Sequence, residues 1–113
     1  MQSACAFKEM FEMTQPQTPP WQAALEKSTP DLFEKVSVVR GSILRDGALS
    51  LKVKTLMIMA CDALLSHPGG VAELSDRARG LGASEEEIAE SVGVAYLMGG
   101  MPALITGSNA FRT

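Results

Sequence analysis

Leu51-Lys52-Val53-Lys54-Thr55-Leu56-Met57-Ile58-Met59-Ala60-Cys61-Asp62-Ala63-Leu64-Leu65-Ser66-His67-Pro68-Gly69-Gly70 is the stretch from which the rest of the chain is read. Leu56, Met59, Ala60, Ala63 and Leu64 recur at i, i+3, i+4, i+7 and i+8, the period of a helix with one apolar face. Met57, Cys61 and Leu65 make a second apolar stripe. A helix with two such faces is expected to be buried on both, within the domain or between subunits. The stretch also holds the single histidine, His67, and one of two cysteines, Cys61. It then turns at His67-Pro68-Gly69-Gly70, so candidate functional residues concentrate here.

Working outward, Ser50 is placed to cap this central helix. Upstream, Thr29-Pro30-Asp31 reads as a helix start, with a capping hydroxyl, proline at the first helical position and an acid at the positive end of the dipole. Leu32, Val36, Val39 and Ile43 form the stripe of that helix, and Gly47 is its expected end. Before it, residues 3–13 carry Phe7, Met10 and Phe11 at helical spacing. The proline-rich run from Gln15 to Pro20 separates that segment from a helix bearing Trp21 and Leu25, with Thr18 as its cap.

Downstream, Val71, Leu74, Ala78 and Leu81 predict the inward face of a helix, with Asp76, Arg77 and Arg79 directed largely outward. Ser84-Glu85-Glu86-Glu87 is a capping box opening a helix whose stripe is Ile88, Val92, Ala95 and Gly99. Gly99-Gly100-Met101-Pro102 ends or kinks it, and a short helix follows from Ala103 to Ala110. No alternating strand pattern survives. The expected fold is a small all-α helical bundle in a single domain, 1–113, with residues 1–20 as N-terminal helix and linker.

Composition agrees: 46% of the 113 residues are hydrophobic but only 5% aromatic, with seven methionines and ten glycines, which suits closely packed helices. A chain this size buries roughly 65% of its unfolded surface, so a partner subunit would help. The net charge of −3 comes without a basic cluster and argues against nucleic acid as a partner. The longest apolar run, Val92 to Ile105, is broken by glycines and a proline and falls short of the about 20 residues of a membrane span. Cys5 and Cys61 provide neither a disulfide framework nor a metal-ligand spacing. No metal or cofactor is implied, and two reduced thiols suit the cytoplasm.

Three segments in order resemble the alkyl hydroperoxidase D / carboxymuconolactone decarboxylase family: Leu51-x-x-Lys54-x-Leu56, Ala78-x-x-x-Gly82-Ala83-Ser84-Glu85-Glu86-Glu87-Ile88-x-Glu90, and Met98-Gly99-Gly100-x-Pro102-Ala103-Leu104. They register without a gap over roughly residues 50–105, the family-like core. The resemblance implies an all-α subunit whose central helix pair assembles homotrimers or homohexamers. The peroxidase branch of the family uses a relay of Glu, Cys-x-x-Cys and His. In this register the glutamate falls on Thr55, the cysteines on His67 and Gly70, and the histidine on Leu74. The resemblance therefore does not extend to dithiol peroxidase chemistry, and a peroxiredoxin-type family label has no mechanism in these residues.

Each remaining candidate has two readings. His67, at a helix start, is an acid/base group or a capping surface histidine. Cys61 is a single reactive thiol or a core residue. Gly69 and Gly70 offer backbone N–H groups to a carboxylate or simply build a tight turn that Pro68 stiffens. Asp62, in an otherwise apolar helix, needs a partner among Lys54, Arg40 and Arg45, or marks an open edge or a polar cavity between subunits. Met57, Met59, Met98 and Met101 line an adaptable pocket or fill the core. Three functions follow: a decarboxylase-like enzyme acting on a small carboxylated or lactone ligand near His67, a thiol-dependent peroxidase using Cys61, or a non-catalytic binding or assembly module.

Overall fold

The computed structural model describes residues 20–111. The helix expected over 3–13, Cys5 and the Thr18 cap lie outside the described residues. Six α-helices and a terminal 3-10 turn make up the described chain: α1 (Pro20–Ser28), α2 (Pro30–Ile43), α3 (Leu51–Leu64), α4 (Pro68–Gly80), α5 (Glu85–Gly99), α6 (Met101–Gly107) and the turn Ser108–Phe111. No strand is present among the described residues, so the all-α expectation holds. The chain divides into two compact units, Met1–Ile43 and Leu44–Thr113.

In the first unit, Pro30 opens α2 as expected, and Trp21 of α1 carries the Arg40 guanidinium over its ring at 5.4 Å. Pro20 belongs to α1 rather than to the linker. The stripe Leu32, Val36, Val39 and Ile43 is present, yet neither helix has a buried residue, and Val39 is 58% exposed. Among the described residues of this unit the two short helices form a single layer, and neither closes over the stripe. Helix α2 stops at Ile43, short of Gly47. The next residues are used to start α3 instead: Asp46 Oδ1 accepts from Leu51 N–H at 2.8 Å, and Lys54 Nζ donates to the Arg45 carbonyl at 2.9 Å.

The second unit holds the core. Helix α3 is capped by Ser50, whose hydroxyl accepts from Val53 N–H at 3.1 Å. It packs on α4, α5 and α6, and the 3-10 turn closes against α4. Met59 and Ala63 of α3 meet Val71 and Ala78 of α4, with Ile88, Val92 and Ala95 of α5 and Ala110 of the turn. The many alanines let helix axes approach closely, and Met59, fully enclosed, fills the irregular space between them.

Two connections in this unit have Schellman geometry. Gly82, at φ +97°, follows α4, and Ala83 N–H donates to the Ala78 carbonyl at 2.9 Å. The Ser84–Glu87 capping box then opens α5 as expected, with both reciprocal bonds formed. Arg79 departs from the outward reading. Its guanidinium bridges Asp76, Glu85 and the Ala110 carbonyl, tying α4 to the start of α5 and to the C-terminal turn.

Candidate functional site

The corner between α3 and α4 is the second Schellman turn. Leu65 caps α3, and Ser66 takes a left-handed conformation at φ +63°. Ser66 N–H reaches the Ala63 carbonyl at 3.4 Å, and His67 N–H donates to the Asp62 carbonyl at 2.9 Å. In such a turn the third residue from the helix end and the second residue beyond it face each other, and an apolar pair commonly fills that contact. Here the two residues are Asp62 and His67, and their side chains meet as well: Nδ1 of His67 lies 3.0 Å from Oδ1 of Asp62.

Pro68 begins α4 immediately afterwards, with His67 at its cap position (φ −110°, ψ 79°). The residue before a proline is excluded from the helical region by the ring's Cδ, so Pro68 fixes the backbone of His67 from the other side. The imidazole makes no capping bond to α4. Its side chain is 59% exposed, whereas that of Asp62 is only 21% exposed.

Asp62 is half-buried because its carboxylate rests on the first turn of α4. A Cβ at position 70 would overlap Asp62 Oδ2, whereas one at position 69 would meet nothing within 4 Å. Gly70 is thus required for close approach rather than for an unusual backbone angle. The carboxylate occupies the positive end of the α4 dipole, an interaction contributing about 0.3–1 kcal/mol. Asp62 therefore finds its partner in His67, and it already holds the face of Gly70 that the sequence offered to an external anion.

Cys61, the next residue on α3, is exposed with a free thiol. The second stripe is not buried within the subunit, since Met57 is 52% and Leu65 64% exposed. The reason is one-sided packing: within this unit the neighbours of α3 gather on the Met59–Ala63 side. Leu64, assigned to the inner stripe, is also exposed, as are Met98 and Met101. Only Met59 among the four methionines fills the core. Of the residues that the sequence register set against the relay, Thr55 is buried with its hydroxyl donating to the Leu51 carbonyl at 2.8 Å, and Leu74 is half-buried. No group of three or more His, Cys, Asp or Glu residues able to hold a metal ion is found among the described residues.

The corner thus presents an oriented imidazole at the protein surface with a carboxylate behind it. Chemically it can accept or deliver a proton on Nε2. The sequence signal for the pair was the Leu64-Leu65-Ser66-His67-Pro68 helix end, which becomes informative once Ser66 is recognised as the left-handed residue.

The carboxymuconolactone decarboxylase family model matches residues 30–113. Among solved structures, the chain is similar to the apo form of a carboxymuconolactone decarboxylase family protein from Legionella pneumophila. The two are 34% identical with a TM-score of 0.73, over 78% of this chain and 79% of that chain. No curated protein matches the sequence.

Proposed function

The chain belongs to the carboxymuconolactone decarboxylase family, and we propose that it serves there without a dithiol, binding or turning over a small carboxylated or lactone ligand at the α3–α4 corner. The observation that carries this reading is the 3.0 Å pair between His67 Nδ1 and Asp62 Oδ1 on an otherwise open surface. His67 is the acid/base group, acting through Nε2. When CO2 leaves a carboxylated lactone, an electron pair remains on the ring carbon, delocalised towards the lactone carbonyl; Nε2, having first taken up a proton from water, delivers it to that carbon and returns to the neutral imidazole with its lone pair free. The N–H of Gly69 lies in the first turn of α4, where no intrahelical acceptor exists, and orients the ligand carboxylate, the face of Gly70 being taken by Asp62. Asp62 shares that end of the helix, so the ligand approaches on the side of Gly69, where space is open.

The protein acts as a homotrimer or homohexamer. Leu97, 79% exposed, and Met98, 75% exposed, lie on the outer face of α5, and Met57 and Leu65 lie on that of α3. Apolar surface of this kind marks an interaction site. A cytoplasmic setting suits the free thiol of Cys61; no helix among the described residues is long and apolar enough to cross a membrane.

The test is thermal protection by a carboxylated lactone, followed by turnover in wild type and His67→Ala. Protection and turnover that both disappear in His67→Ala support an enzyme. Protection without turnover leaves a binding module, and absence of both removes the corner as a ligand site. The exposure of Cys61 favours one second reading, a thiol-dependent peroxidase. It requires a Cys61 thiol that reacts with an apparent pKa well below about 8.5 in a Cys5→Ser background, together with peroxide turnover.

A further inference from the structure

We infer that Asp62 is the positioning residue of His67: it holds the imidazole in the Nδ1-protonated tautomer, so that Nε2 faces outward with a free lone pair. The inference deepens the proposed function and rests on the reading of His67 as its acid/base group.

Three observations converge on the pair. The main chain joins the same two residues that the side chains join, through His67 N–H to the Asp62 carbonyl at 2.9 Å. Ser66 at φ +63° and Pro68 on the following side leave the His67 backbone little freedom. The Asp62 carboxylate is confined in turn, with Oδ1 on the imidazole and Oδ2 against Gly70, where any side chain would overlap it.

An ionised carboxylate can only accept hydrogen bonds. A neutral imidazole facing it through Nδ1 must carry its proton there, the reverse of the tautomer that free histidine prefers in water. Stability does not account for the arrangement. A pair with a 59% exposed histidine contributes little, while a serine in the left-handed region is strained. What the corner secures is direction: the basic nitrogen points to the surface where a ligand would arrive.

The test is the pattern of long-range 1H–15N couplings of the His67 ring in the 15N-labelled full chain, recorded at a pH where the imidazole is neutral. The expected result is predominant Nδ1 protonation in wild type. In Asp62→Ala, and in Gly70→Ala where the carboxylate is displaced, the ring should revert to the Nε2-protonated form. Asp62→Asn, which keeps an acceptor oxygen, should retain part of the bias. A merely structural Asp62 would lower the melting temperature without moving the tautomer. Predominant Nε2 protonation in wild type, or a pattern unchanged in Asp62→Ala, overturns the inference. Should the variants fail to fold, the wild-type spectrum alone decides it. The Nδ1 tautomer without any turnover of a carboxylated lactone would sink the decarboxylase reading and leave the pairing intact. Turnover lost in His67→Ala with an Nε2-protonated ring would do the reverse.

Discussion

Ser66 is the residue on which the corner turns. A β-carbon in the left-handed region crowds the following carbonyl, at about 1–2 kcal/mol, and Ser66 accepts this at φ +63° to bring His67 back over Asp62. Ser66→Gly should therefore raise stability by up to about 1 kcal/mol, read from the urea midpoint, the gain being limited by glycine's larger unfolded-state entropy. The His67 ring signals should not move. A fall in stability would mean that the serine side chain has a role of its own. Met59 is the opposite case, a residue wholly enclosed among α3, α4 and α5. Truncation to alanine should cost about 2–5 kcal/mol in denaturant unfolding. Met59 was legible as core from its spacing alone. The role of Asp62 was not, because a contact across a turn depends on which residue adopts the left-handed angle, and serine is not the residue expected there.

Among the elements, the connections of α5 carry the electrostatics. The hydrogen bond from Arg79 holds the Glu85 carboxyl below its ordinary 4.5. For Glu87 the hydrogen bond from Lys52 does the same first, and the Ser84 N–H adds to it. Groups lowered in the folded state contribute stability that is fully present above the unfolded value and is lost as pH falls through the folded one. The melting temperature should accordingly stay level from about pH 7 to about pH 5 and drop below about pH 4.5. Glu87→Gln should flatten part of that drop. A midpoint that rises on acidification would contradict the assigned partners. The capping box was readable in Ser84-Glu85-Glu86-Glu87 because its two bonds are local. Lys52 lies on α3, 2.9 Å from Glu87, and no local pattern announces a tie between helices so far apart in sequence.

For the whole molecule, the two apolar stripes of α3 were correctly read as a pattern, but only one is closed by the helices of its own unit. Periodicity reports which residues avoid water and not which surface covers them, so Met57 and Leu65 were legible as apolar and not as exposed. The stripe of α2 has the same history. If these surfaces meet in a homo-oligomer, light scattering should give the mass of a trimer or hexamer, and Leu97→Asp should shift it towards monomer with helix content retained. A monomeric wild type at micromolar concentration would contradict the assembly.

The most direct test of the account is the rate of carbon dioxide release from carboxymuconolactone by the wild type, Cys61→Ser and His67→Ala proteins. The account predicts the wild-type rate in Cys61→Ser and a loss of about hundredfold or more in His67→Ala. A rate that survives in His67→Ala but disappears in Cys61→Ser would contradict it and move the chemistry to the thiol.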